Sequence, residues 1–357
     1  MSLISVIITL LIFTVIVVIH EAGHMVVAKK CKVLVTEFAV GMGPKIWGFK
    51  KGDTEYNLRI LPLGGFCRME EEVEGRTDVI SLNDATPLQK ILICFAGPFM
   101  NFLLALIIMI GIGLCTYITT NTVTYVYDDS PAQEAGIEVG DRIVEVNGHS
   151  THIRQDIDFY RNGGTTPDSV VVKRNGERIE MTITPYEKDG RYIYGVGTAI
   201  KAPYFDVLNL NEDNTLVKGE LWEYLVSGFW SVISIIKITV ISFVRLITSK
   251  IAVTELSGPI GVTSAVGEVY TQAVEFGMGQ VVISMLELTV LLSANLGVLN
   301  LFPLPALDGG RIVVAFVELI SRRRVPPNIE GFIHFIGFVL LMALGIYIAF
   351  NDVLKLL

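Results

Sequence analysis

The stretch MSLISVIITLLIFTVIVVIHEAGHMV (residues 1–26) decides the fold, because an apolar run ends in His20-Glu21-Ala22-Gly23-His24. No charged side chain occurs from Met1 to Ile19. A helix of that length rises about 28 Å, close to the thickness of a bilayer's hydrocarbon core. On such a helix the two histidines lie one turn apart on one face, a spacing that grips zinc, with Glu21 beside the metal's open position. Ionisable groups are expensive at that depth, so the pattern points to a metal hydrolase working within the membrane. The run lacks the basic start and the small-residue cleavage site of a signal peptide and continues into Lys29-Lys30, so it reads as a retained span.

Composition agrees. Of 357 residues, 51% are hydrophobic and 18% charged, where a soluble chain carries about 25% charge. The formal net charge of -8 offers no basic stripe for phosphates and excludes nucleic acid as a partner. The four cysteines, Cys31, Cys67, Cys94 and Cys115, form no CxxC pair, and none follows Cys115. The middle of the chain therefore has no disulfide framework.

Working outward, four runs are long and apolar enough to span: roughly 3–28, 91–118, 281–302 and 332–350. A fifth, Tyr224 to Thr248, carries Ser227, Ser231, Ser234, Lys237, Ser242, Arg245 and Ser249 at mostly three- or four-residue spacing. That one-sided stripe predicts a helix lying in the interface. The segment from Lys29 to Arg76 is rich in Lys and Arg, and Arg322-Arg323-Arg324 precede the last run. Both connections are expected in the cytoplasm, with both termini and residues 119–200 outside the cell membrane.

The expected fold is an α-helical polytopic membrane protein of about four transmembrane helices, with a membrane-dipping β-sheet and one inserted extracytoplasmic α+β domain. Its segments are 1–30, 31–90, 91–118, 119–200, 201–280, 281–320 and 321–357. The sheet is read from the alternation Glu55-Tyr56-Asn57-Leu58-Arg59-Ile60 behind the turn Lys51-Gly52-Asp53, with Val35 to Phe49 as partner. Leu61-Pro62-Leu63-Gly64-Gly65-Phe66 is too apolar for an ordinary loop. In the 119–200 segment, Val170 to Ile179 reads as a hairpin around Asn175-Gly176. Ser130-Pro131-Ala132, Gly140-Asp141-Arg142-Ile143 and Val146-Asn147-Gly148 resemble a bacterial PDZ domain.

A catalytic zinc site needs a third protein ligand and keeps one position for water. Asp308, in Asn300-Leu301-Phe302-Pro303-Leu304-Pro305-Ala306-Leu307-Asp308-Gly309-Gly310, follows an apolar run just as the histidines do. The two sets of ligands meet only if both runs enter the membrane from the same side, which requires that the Tyr224–Thr248 helix not cross. Burying His20, Glu21, His24 and Asp308 costs on the order of 10 kcal/mol, an amount that binding a structural zinc, about 10–16 kcal/mol, offsets. With zinc in place, Glu21 is expected to act as general base toward a water of pKa about 7 and to return the proton to the leaving amine. Pro303 and Pro305 cannot sit in an intact helix and free backbone beside the metal. Asn295 and Asn300 are placed to hydrogen-bond a substrate strand, with interhelical contact as their alternative. His149 and His152 read as surface residues, and His334 as a residue able to reach the interface.

These motifs together resemble the site-2 protease family of intramembrane zinc metalloproteases, in its bacterial branch. The likeness includes Gly64-Gly65, Gly97-Pro98-Phe99-Met100-Asn101 and Ser257-Gly258-Pro259-Ile260-Gly261, and departs from the best-known members in having one PDZ domain rather than two. It implies zinc held by His20, His24 and Asp308, catalysis by Glu21, and substrate contacts from Asn295, Asn300, Pro303, Gly64 and Gly65. It further implies single-span membrane substrates, such as anti-sigma factors or remnant signal peptides, already trimmed by an upstream site-1 protease, and a sheet that pairs with unfolded substrate. A catalytically inert relative that only binds through its PDZ domain and groove is the alternative. A zinc transporter would need ligands along a path through several spans.

Overall fold

The computed structural model describes residues 2–70, 73, 75–188, 190–205, 216–248 and 257–356. The chain divides into two units, one of Met1–Ala105 with Thr239–Leu357 and one of Leu106–Ile238.

The first unit is built on helices. Ser2 accepts the Ser5 N–H at 3.1 Å and starts α1 (Leu3–Lys30), which carries Lys29 and Lys30 in its last turn against the helix dipole. α2 (Pro87–Cys115) begins in this unit and contains Pro98. Between them, β1 (Val35–Lys51) and β2 (Thr54–Met69) pair antiparallel. Both strands fold back on themselves: Ala39 lies opposite both Asn57 and Phe66. Residues 35–42 are therefore the middle of the sheet, with 54–61 on one side and 65–69 on the other. Buried Glu37 collects Asn57 Nδ2 at 2.8 Å and the Arg59 guanidinium, so the charges inside this sheet are paired.

The second unit holds β3 (Ile118–Val126), α3 (Pro131–Glu134), β4 (Arg142–Val146), β5 (His149–Ser150), α4 (Arg154–Tyr160), β6 (Asp168–Arg174), β7 (Glu177–Ile183), β8 (Tyr186–Lys188), β9 (Arg191–Ile193) and β10 (Val196–Lys201). Its main sheet runs β10-β3-β4-β6-β7, with β5 paired to β4. The β6–β7 turn has Asn175 at φ 50° and Gly176 at φ 93°, the hairpin geometry that this dipeptide favours. Val123, Ile143, Val146, Ile157, Val170 and Val172 are buried beneath the sheet. α5 (Leu221–Ile247) starts here, with Tyr224 donating to Ala202 O at 2.5 Å.

Four more helices complete the first unit: α6 (Pro259–Glu275), α7 (Met278–Leu301), α8 (Asp308–Ser321) and α9 (Pro327–Leu356). At α9's far end, buried Asp352 accepts the Gly258 and Gly261 N–H groups, both at 2.9 Å, and caps α6, whose own N-cap is a glycine. Among the described residues, five helices are long and apolar enough to cross a membrane, where four were expected; the fifth is α5. Its C-terminal half runs beside α7 in the same direction, Thr239 donating to Asn295 Oδ1 at 2.5 Å and Phe243 stacking on Phe302 at 3.7 Å. Ser249, the last member of the polar stripe, lies outside the described residues. The most apolar part of α9 is 6% buried and that of α7 is 50% buried. α7 is thus an interior helix, while α9 presents large apolar side chains such as Phe332, Phe335 and Phe338 outward, an arrangement that suits lipid.

Candidate metal centre

α1 and α2 run antiparallel and close together, because small residues face each other where they cross. A Cβ on Gly97 would lie 2.6 Å from His24 Cε1 and 2.8 Å from His20 Cε1. Glycine there is what leaves room for the two imidazoles. At the end of α7, Phe302 takes extended backbone (φ -63°, ψ 143°), and Pro303 and Pro305 keep the chain out of helix until Asp308 opens α8. Lys90 at the start of α2 donates to Glu318 Oε2 of α8 at 3.1 Å, a nearly buried pair that holds the two helices together.

These elements bring His20, His24 and Asp308 to one point. The two Nε2 atoms are 3.1 Å apart, and Asp308 Oδ2 lies 3.1 Å from that of His20 and 3.3 Å from that of His24. Two ligands held tetrahedrally about 2.0–2.1 Å from one zinc ion stand about 3.3 Å apart. Asp308 Oδ2 is buried and finds no hydrogen-bond donor among the described residues. A buried carboxylate oxygen without a donor is costly, whereas a cation between the three atoms satisfies it. The donor set of two imidazoles and one carboxylate, with one side open, matches catalytic zinc.

The imidazoles are held from behind. His24 Nδ1 lies 2.7 Å from Ile93 O, so this nitrogen carries the proton and Nε2 turns its lone pair to the metal position. His20 Nδ1 faces the side-chain amide of Asn101 at 3.2 Å, and among the described residues Asn101 Oδ1 has no donor. Turned over about its last bond, the Asn101 carboxamide presents Oδ1 to a protonated Nδ1, which satisfies both groups and leaves His20 Nε2 free for metal. Ser293 Oγ donates to Asn101 O at 2.9 Å and ties this residue to α7. The sequence points to Asn101 only through the family likeness of Gly97-Pro98-Phe99-Met100-Asn101. Its position on the face of α2 that carries Gly97 is the signal that pointed to this role.

Glu21 accepts the Cys67 N–H at 3.0 Å through Oε2, which joins the helix of the histidines to the outer segment of β2. Beside it lies a cavity of about 370 Å³ lined by His20, Glu21, His24, Cys67, Asn300 and Asp308 among others. The other residues expected at the site fall elsewhere. Asn295 turns to Thr239 of α5 instead of the cavity. Pro303 is exposed and outside the lining, because the chain leaves α7 before reaching it. Gly64 (φ 73°) and Gly65 lie in β2 against α1: a Cβ would lie 3.6 Å from Val17 on the first and 3.8 Å from Val18 on the second. They pack the sheet one turn before the histidines and do not line the cavity.

A sequence model of peptidase family M50 matches residues 8–344. The chain belongs to peptidase family M50. A Clostridium perfringens protein is 36% identical over 355 residues, 98% of each chain. A Clostridium acetobutylicum protein is 33% identical over 357 residues, covering 99% of this chain and 98% of its own. A Fusobacterium nucleatum protein is 32% identical over 349 residues, 96% of each. All three carry the name "putative zinc metalloprotease". As an M50 member with several membrane-length helices, this chain is a zinc metalloprotease of the membrane, and the His20–His24–Asp308 constellation fits its metal.

Proposed function

We propose that this M50 peptidase hydrolyses peptide bonds within or near the transmembrane segments of single-span membrane proteins, as the second cut of regulated intramembrane proteolysis. The observation that carries this reading is the triangle of Nε2, Nε2 and Oδ2 at the ends of apolar helices, opening on a cavity that Glu21 and Asn300 share. Zinc, when bound, supplies a Lewis acid that acidifies water and polarises the scissile carbonyl. Glu21 takes the proton from the attacking water and delivers it to the leaving amine. The Cys67 N–H holds Oε2 and leaves Oε1 to handle that proton. Asn300 hydrogen-bonds the substrate backbone, and the outer edge of residues 65–69 pairs with a substrate helix that has unwound. Asn295 joins α5 to α7 in this reading.

Residues 119–200, within the Leu106–Ile238 unit, are proposed as a single extracytoplasmic PDZ domain, and the protein as a plasma-membrane one with both termini outside. An upstream site-1 protease would supply the trimmed substrate. Two placements of α5 follow from different observations. Its polar stripe favours the interface, whereas its run beside α7 favours a crossing. Thiol labelling of a cysteine introduced at Thr248 separates them, since only a crossing helix exposes that position to the cytoplasm. An inert relative has no use for a carboxylate held beside the metal ligands. Glu21→Gln tests the enzyme directly: cleavage of a single-span substrate should fall about a hundredfold or more, with bound zinc unchanged. Cleavage at the wild-type rate would refute the general-base assignment.

A further inference from the structure

The loop that delivers Asp308 to the histidines has little of its own to hold it. Among the described residues, its backbone hydrogen bonds are local: Leu304 N–H to Phe302 O at 2.7 Å, Leu307 N–H to Leu304 O at 3.3 Å and Gly310 N–H to Leu307 O at 3.1 Å. Within this loop Ala306 sits at φ 72°, a left-handed conformation that residues with a Cβ seldom adopt unless their surroundings impose it.

The surroundings that impose it come from α9. Ala306 N–H donates to His334 Nδ1 at 2.9 Å. One turn further along, a Cβ on Gly337 would lie 2.7 Å from both the carbonyl carbon and the oxygen of Pro305, so glycine makes the groove in which Pro305 rests. Residues three apart on a helix share a face. α9 therefore offers one acceptor and one gap, side by side, to two consecutive loop residues, two and three positions before the ligand. The rest of this helix is largely turned away from the protein.

We propose that His334 is a positioning residue for the metal centre: by accepting the Ala306 N–H it locks the left-handed turn that aims Asp308 Oδ2 at the two imidazoles. This rests on Asp308 being a zinc ligand. As an acceptor, Nδ1 carries no proton, so the neutral imidazole bears it on Nε2. The requirement is for an acceptor at the place of Nδ1, not for a histidine as such.

Asparagine puts its Oδ1 near the place of Nδ1, whereas glutamine carries its amide out toward the place of Nε2. The full-length protein in detergent is loaded with zinc, and its retention is followed during titration with a chelator. His334→Gln should hold zinc about tenfold or more weakly than wild type, and His334→Asn should restore retention to within about threefold. With zinc in excess, kcat should fall in His334→Gln while KM for a single-span substrate stays, because the loop is displaced and the substrate groove is not. Gly337→Ala, which pushes on Pro305, should weaken retention in the same direction. Asp308→Ala is measured alongside. If it keeps its zinc, the ligand assignment fails; if it loses zinc while His334→Gln holds the metal like wild type, the positioning role is overturned. Equal loss in His334→Asn and His334→Gln would also overturn it, since the acceptor position would then not matter.

Discussion

The membrane unit and the Leu106–Ile238 unit both bury carboxylates, and one carboxylate of the membrane unit, Asp308, is treated unlike those of the other. In the second unit, Asp141 receives the Arg174 fork at 2.7 Å on each oxygen, and Asp168 accepts from Asn147, Asn162 and Tyr194 at 2.6 to 2.7 Å. Each is closed within the protein. In the membrane unit, among the described residues Asp308 Oδ2 has no donor, and neither does Asn101 Oδ1, whose side chain stands behind the His20 imidazole. Saturated carboxylates hold a fold together; an unsaturated one at the meeting point of two imidazoles is suited to bind a cation.

The largest effect is expected from imposing the second condition on the wrong unit. Arg174→Met leaves Asp141 buried without its cation and should destabilise that unit by about 2–3 kcal/mol, below the loss for a wholly buried pair because Arg174 is partly exposed. Zinc content should not change. The pH dependence carries a sign. Burial alone raises the Asp141 value, but the Arg174 fork and the Glu138 N–H overcome it and hold the carboxyl below the usual aspartate range. A depressed folded value means that this stabilisation is present above the unfolded value and is lost as pH falls from about 4. The protection of β4 and β6 amides in the full chain, corrected for intrinsic exchange, should fall on acidification in wild type, and that fall should be lost in Arg174→Met.

Asn101→Leu probes the membrane side. It removes the group behind His20 Nδ1 and should weaken zinc about 10- to 100-fold, the size of effect that outer partners of metal-bound histidines have. Equilibrium dialysis measures it. The smallest change sharpens the contrast within the membrane unit itself. Asp352 is saturated by two backbone N–H groups, so Asp352→Ala should cost about 1 kcal/mol of stability, the value of a helix cap. It should leave zinc binding untouched. A loss of zinc there would mean that the two classes of carboxylate are not separable.

Much of this was legible in the sequence. Apolar runs announced α1, α2, α7 and α9, and Asn175-Gly176 announced the β6–β7 hairpin, because length and turn chemistry act locally. The spacing of His20 and His24 gave their shared face, and the position of Asp308 after an apolar run brought it to their end. What stayed hidden depended on tertiary contact. Glycine at position 97 looks like any small residue until the imidazoles stand against it. The doubled-back course of β1 and β2 follows from pairing on both sides of residues 35–42, which alternation alone does not reveal. α8 was masked by Asp308-Gly309-Gly310, which reads as a turn. Asn295 carried equal signals for substrate and for a neighbouring helix, and only the position of Thr239 distinguishes its partner.

The central claim is that one zinc ion is held by His20, His24 and Asp308. Metal content of the purified full-length protein tests it most directly, with wild type, Glu21→Gln and Asp308→Ala measured side by side. One zinc per chain in wild type and in Glu21→Gln, with its loss in Asp308→Ala, is the predicted result. Full zinc content in Asp308→Ala would contradict the account.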